Sequence, residues 1–242
     1  YHIPSVKEED TYAIDVLESI LSGGETSRLY RKLKLEDELV HGISVYSMSL
    51  KDPGLLFVTA MLKPENVGKT ITGTLEVIQK LAIEGPESEE IERAKFNIES
   101  SFVYSRETMD GLAGKLGYFE VNLSDYAFEK KYIGNIKKVT PEDIKRVAAR
   151  YLAPENMSVS VLMPKAKEAD VTPELIAESV KAASQKPAAK AVTDKDEESQ
   201  TTKTVLENGI TLIVKEVHSN PTVAFYAAFP GGLRFEQEAK NG

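Results

Sequence analysis

Residues 42–62 most restrict what this chain can fold into. Gly42 to Leu50 alternates at period two, Asp52-Pro53-Gly54 supplies a turn, and Leu55 to Leu62 returns as a second, more apolar run. Alternation of that kind buries one face only in a strand, and a Pro-Gly turn between two such runs folds them into an antiparallel hairpin. The flanking segments have the other period. Ile14, Leu17, Ile20 and Leu21 recur at helical spacing behind the acidic start Glu8-Glu9-Asp10, and Gly23-Gly24 stops that helix. Thr26 or Ser27 can cap a second helix carrying Leu29, Tyr30, Leu33 and Leu35.

Beyond the hairpin, Val67, Ile71, Leu75, Ile78 and Leu81 form one helical stripe ended by Gly85-Pro86. Ser88 can cap the next helix, with Ile91, Ala94, Phe96, Ile98 and Phe102. Leu112, Leu116, Phe119 and Val121 mark another, and Asp125 to Tyr132 is a short aromatic-rich segment. Thr140-Pro141-Glu142-Asp143 combines a capping Thr, Pro at the first helical position and an early acid, ahead of Ile144, Val147, Ala148 and Leu152. Met157 to Met163 alternates and predicts a closing strand. Residues 1–163 are thus expected to form a two-layer α+β domain, a mostly antiparallel sheet with helices on one side.

Residues 164–202 change to Ala, Lys, Glu, Pro, Ser and Asp, with one apolar cluster, Leu175, Ile176 and Val180, behind Thr172-Pro173. This predicts a linker with one short helix. At 203–242 an Asn208-Gly209 pair between two apolar runs predicts a hairpin, and Thr222 to Phe229 a third strand closed by Pro230-Gly231-Gly232. These strands read as the truncated start of a second domain, whose open edge invites a strand-paired or swapped dimer through 203–229. A start at Tyr1 without Met and an end at Gly242 read as a piece of a longer protein.

Composition removes several functions. Lys plus Arg is 30 against 38 acidic residues, a net charge of −8 with no basic stripe, which disfavours nucleic-acid binding. No apolar run approaches the roughly 18–20 residues of a membrane helix. With no Cys, disulfides, thiolate nucleophiles and sulfur-ligated zinc are excluded. His2, His41 and His218 have no partner at metal-ligand spacing, and no nucleophile elbow, phosphate loop or dinucleotide fingerprint occurs. Glu87, Glu89, Glu90 and Glu92 cluster at a helix start, where the dipole and solvent account for them. No catalytic residue and no metal ligand is assigned from residue chemistry.

The run Gly23-Gly24-Glu25-Thr26-Ser27-Arg28-Leu29-Tyr30-Arg31-Lys32-Leu33 resembles the Gly-Gly-x-x-Ser-Arg-Leu-(aromatic)-x-x-Leu signature of the M16 zinc metallopeptidases, the pitrilysin, insulinase and mitochondrial processing peptidase group. Ser88 to Lys95 and Val139 to Ile144 resemble later segments of the same family, and Leu206 through Asn208-Gly209 to Glu236 resembles its domain opening. The resemblance implies the LuxS/MPP-like metallohydrolase fold and a tandem protein. Residues 1–163 would be the later, C-terminal-type half of one repeat, 164–202 the inter-repeat linker, and 203–242 the first strands of the next.

The family binds zinc through an inverted His-x-x-Glu-His motif and a distal Glu and encloses unfolded peptides between two halves. None of those ligands lies here, so zinc is expected in the full-length protein and not in this segment. The resemblance makes the partners an upstream zinc-bearing domain, the rest of the second repeat, and a peptide substrate received by strand addition. It places Gly23, Gly24, Ser27, Arg28 and Leu29 in the structural signature. The family's Arg and Tyr, seven residues apart and used to hold substrate and transition state, fall on Lys34 and His41, and both depart from the pattern. Lys lacks the planar fork of Arg and His is no phenol, so this copy is not expected to supply that pair. The reading is a non-catalytic, substrate-enclosing part of a zinc endopeptidase. Its alternative is an inactive homologue used in assembly or scaffolding, and chance likeness of an unrelated α+β domain stands third. Analogy with tandem bacterial members favours a periplasmic or secreted setting and leaves a cytoplasmic one open.

Overall fold

A computed structural model describes residues 1–163, 171–185, 201–205 and 211–215. Two compact units divide the chain, Tyr1–Lys190 and Ala191–Gly242.

In the first unit, β1 (His2–Ile3), β2 (Val40–Met48) and β3 (Gly54–Leu62) form an antiparallel sheet in the order β1-β3-β2. The hairpin lies where the alternation placed it, with Val45 opposite Val58 and Tyr46 opposite Phe57. The ladder shifts register between Val40 and Gly42, which makes His41 the extra residue of a β-bulge.

The helices are α1 (Asp10–Ser22), α2 (Val67–Glu84), α3 (Ser88–Tyr104), α4 (Met109–Leu123), α5 (Glu129–Lys138), α6 (Pro141–Tyr151) and α7 (Pro173–Gln185). The core contains Leu17 and Leu21 of α1, Leu29, Leu33, Leu56 of β3, Ile78 and Leu81 of α2, and Ile144 and Val147 of α6, each no more than 2% exposed. α6 begins as its sequence predicts. The Thr140 hydroxyl accepts from the Asp143 amide at 3.2 Å, and an Asp143 carboxylate oxygen accepts from the Thr140 amide at 3.0 Å.

Three expectations change. Ser27 precedes not a regular helix but one that passes into a π-helix at Tyr30–Glu36, where the Asp37 amide donates to the Lys32 carbonyl at 3.0 Å. The aromatic-rich stretch after Asp125 opens into α5, whose Ile136 reaches the core. Residues 157–163 form no strand. The neighbouring β1 has only two residues, and its His2 carbonyl accepts from the Asn156 side-chain amide at 2.9 Å, while Leu162 stands fully in solvent.

The helix expected within 164–202 is α7, and it docks on α2. The Thr72 hydroxyl donates to the Ser179 carbonyl at 3.0 Å, Ser179 and Ala183 are buried, and Gly68 leaves room for Leu175 and Ser179.

In the second unit β4 (Thr201–Val205) pairs antiparallel with β5 (Thr211–Lys215), Thr204 opposite Leu212. The third strand expected at 222–229 and His218 lie outside the described residues.

Candidate functional site

The signature loop between α1 and the π-helix is built from residues each occupied by a structural task. Gly23 follows α1, where a Cβ would run into the Ser19 carbonyl oxygen, and Gly24 takes a φ of +113°, which only glycine adopts without strain. The buried Ser27 hydroxyl donates to the Gly24 carbonyl at 2.6 Å, closing the loop on itself. Leu29 and Leu33 are fully buried.

Arg28 makes a fork-to-fork pair with Glu90 of α3, Nε to Oε1 at 2.9 Å and a terminal nitrogen to Oε2 at 2.6 Å. It also donates to the Gly85 carbonyl at 3.2 Å. Both side chains are 17% exposed. Glu90 in turn accepts from the Glu87 amide at 2.9 Å and completes the capping box of α3. Burial pushes the Glu90 carboxyl up, but the Arg28 hydrogen bonds, the Glu87 amide and the Arg28 charge outweigh it and leave the group below the ordinary range. The glutamate that sequence alone assigned to a solvated helix start is therefore the anchor of the signature arginine.

Lys34 lies half-buried in the π-helix with its ammonium 4.5 Å from the centre of the Tyr30 ring. His41 is exposed on β2 at the bulge. The two positions that the family resemblance singles out thus fall on the two backbone irregularities of this region, devices that re-aim side chains. Among the described residues, no group of three or more His, Cys, Asp and Glu side chains converges as a metal site.

A feature the sequence did not disclose runs along the free edge of β2. The Val45 and Ser47 amides, which point away from β3, donate to the Ser22 hydroxyl at 2.9 Å and to Glu18 Oε2 at 2.8 Å, both on α1. One turn earlier, Asp15 Oδ2 accepts from the Tyr132 hydroxyl of α5 at 2.6 Å. Burial, with the neighbouring Glu18 charge, pushes the Asp15 carboxyl up to about 7 against the pull of the Tyr132 and Ser47 hydrogen bonds. Burial also raises Glu18, with the Ser47 hydrogen bonds opposing. The available signal was the i, i+3 acidic pair set inside the apolar stripe, Asp15 between Ile14 and Val16 and Glu18 after Leu17.

A surface hollow beside α4, lined by Leu116, Gly117, Glu120, Ser124, Asp125 and Tyr126, holds none of the signature residues. No helix among the described residues is long and apolar enough to cross a membrane.

Comparison with known proteins shows what this arrangement is similar to. Residues 1–98 match the model described as the peptidase M16 inactive domain. A Streptomyces coelicolor protein named an uncharacterized zinc protease is 28% identical over 157 residues, 65% of this chain and 34% of the relative. The alpha subunit of the mitochondrial-processing peptidase of Caenorhabditis elegans is 29% identical over 160 residues, 62% of this chain and 31% of the relative. The chain thus spans about a third of the length of these relatives. Among solved structures, an inactive peptidase domain from Bordetella parapertussis superposes with a TM-score of 0.55 at 22% identity, covering 64% of this chain and 85% of the other. That likeness shows the fold.

Proposed function

We propose that this chain, whose residues 1–98 match the peptidase M16 inactive-domain model, is a non-catalytic, substrate-enclosing part of a zinc endopeptidase acting on unfolded peptides. The observation that carries the reading is how the signature residues are used. The Arg28 fork is consumed by Glu90 and Gly85, and Gly23, Gly24 and Ser27 shape the turn, so these signature residues serve the wall.

On this reading zinc is held by another domain of the parent, and this domain and the remainder of the second repeat close around the substrate. Segment 164–202 joins the halves. Within it α7 is tied to α2 and belongs with the first unit. Lys34, drawn to the Tyr30 ring, and the imidazole of His41 do not reproduce an arginine fork and a phenol, so the transition-state pair comes from elsewhere in the parent. The family analogy carries a periplasmic or secreted location with it.

The experiment is cleavage of an unfolded peptide by the parent protein with Lys34→Ala and His41→Ala. The reading predicts kcat within about threefold of the parent, whereas loss of a transition-state donor costs about 100-fold or more. A loss of that size would place catalysis in this copy. A parent that lacks both zinc and cleavage would replace the reading with the assembly role.

A further inference from the structure

Among the described residues β2 is an edge strand of its sheet, and an edge strand offers its outward amides to any extended chain. Here α1 has taken them. Ser22, Glu18 and Asp15 stand at i+7, i+3 and i on one face of α1. The first two hold the Val45 and Ser47 amides, and Asp15 holds Tyr132 of α5. Tyr132 is itself fixed, stacked on Phe102 of α3 at 4.9 Å and tilted against Tyr12 of α1 at 5.8 Å. Farther along the same edge the Tyr118 hydroxyl of α4 donates to the Ser49 carbonyl at 2.8 Å, while the buried Ser49 hydroxyl finds no partner among the described residues.

We propose that the Asp15, Glu18 and Ser22 row is a protonation-controlled latch. It is closed over the edge of β2 while Asp15 keeps its proton, and loosened when Asp15 and Glu18 are both ionised, so that the Val45 and Ser47 amides become available to an incoming extended peptide. The groups facing Asp15 are Glu18 on its own helix, the Ser47 hydroxyl from β2 and the Tyr132 hydroxyl from α5, with Tyr118 of α4 close by. The charge acting on Asp15 is that of Glu18, of the same sign. With Asp15 neutral, the site holds one carboxylate, and that carboxylate has the Ser47 amide. Ionising Asp15 puts two negative charges one turn apart in a crowded setting, and the relief open to them is for Glu18 to swing into water and release Ser47. The switch falls near pH 7, where the crowding sets Asp15. Peptide as the occupant rests on the proposed function; the latch itself rests on the row alone.

Amide hydrogen exchange at Val45 and Ser47 in the 242-residue chain, corrected for intrinsic rate, tests this between pH 5.5 and 8.5. Protection should fall at least tenfold with a midpoint near 7 in the wild type and stay flat in Asp15→Asn. In Tyr132→Phe, which removes a bond favouring the ionised carboxylate, the midpoint should move up. Flat protection in the wild type, an unchanged slope in Asp15→Asn, or an unmoved midpoint in Tyr132→Phe each overturns the latch. The last readout stands even if Asp15→Asn does not fold.

Discussion

Replacing Arg28 by Ala should destabilise the first unit more than replacing either signature glycine. The substitution removes two charge-assisted bonds to Glu90 and one to the Gly85 carbonyl and leaves the Glu90 carboxylate mostly buried with the Glu87 amide and the more distant Arg93 charge. Breaking a buried pair from one side costs about 3–5 kcal/mol. At 17% exposure some water still reaches each partner, which brings the expected cost to about 2–3 kcal/mol. Arg28→Lys keeps the charge without the fork and should lose about 1–2 kcal/mol. Because the larger cost comes from the orphaned charge, Arg28→Ala with Glu90→Gln should cost less than the sum of the two singles, with a coupling of about 1–2 kcal/mol. Urea denaturation followed by circular dichroism at pH 7 gives all these values from midpoints at constant slope. Arg28→Ala within about 0.5 kcal/mol of wild type, or strict additivity in the double, would refute the claim that this residue clamps α3.

The remaining predictions concern the loop, one strained residue and pH. Gly24→Ala should cost about 1–2 kcal/mol because its φ of +113° excludes a side chain, and Gly23→Ala a similar amount because its Cβ meets the Ser19 carbonyl; thermal midpoints would show both. Glu38 is exposed with a φ of +51°, so Glu38→Gly should raise stability by about 0.5–1 kcal/mol, and a lowered midpoint would contradict the strain. Asp15, raised to about 7 from roughly 3.9 in the unfolded chain, binds its proton more tightly when folded, so stability should fall by about 4 kcal/mol as pH rises across that window and then level off. Asp15→Asn should remove the slope and exceed wild type at pH 8. Glu90, Asp10 and Asp143 lie below their ordinary values, so their stabilisation, complete above the unfolded pKa, is lost as pH falls through the folded one. A stability maximum in the mildly acidic range follows, readable from denaturation midpoints across pH.

What the sequence disclosed and what it hid have separate physical causes. Local rules suffice for the 52–54 turn, the Thr140-Pro141 start and the Gly23-Gly24 stop, because each is decided within a few residues by backbone geometry and capping. The strand expected at 157–163 obeys the same alternation, yet a strand also needs an edge to pair with, and the two residues of β1 offer Asn156 a carbonyl and little more. The π-helix at Tyr30–Glu36 has no compositional mark, since an added residue in a helical turn leaves the apolar period nearly unchanged. Glu90 looked solvated because its partner lies 62 positions away. Asp15 and Glu18 would pass for a polar face of α1 until the fold brings β2 and α5 against them.

Zinc content and chelator-sensitive cleavage of an unfolded peptide, measured on the 242-residue chain and on the longer protein that the M16 reading requires, test the central claim most directly. The account predicts about one zinc and cleavage abolished by chelator in the longer protein, and neither in the chain alone. Stoichiometric zinc with cleavage by the chain alone would contradict it.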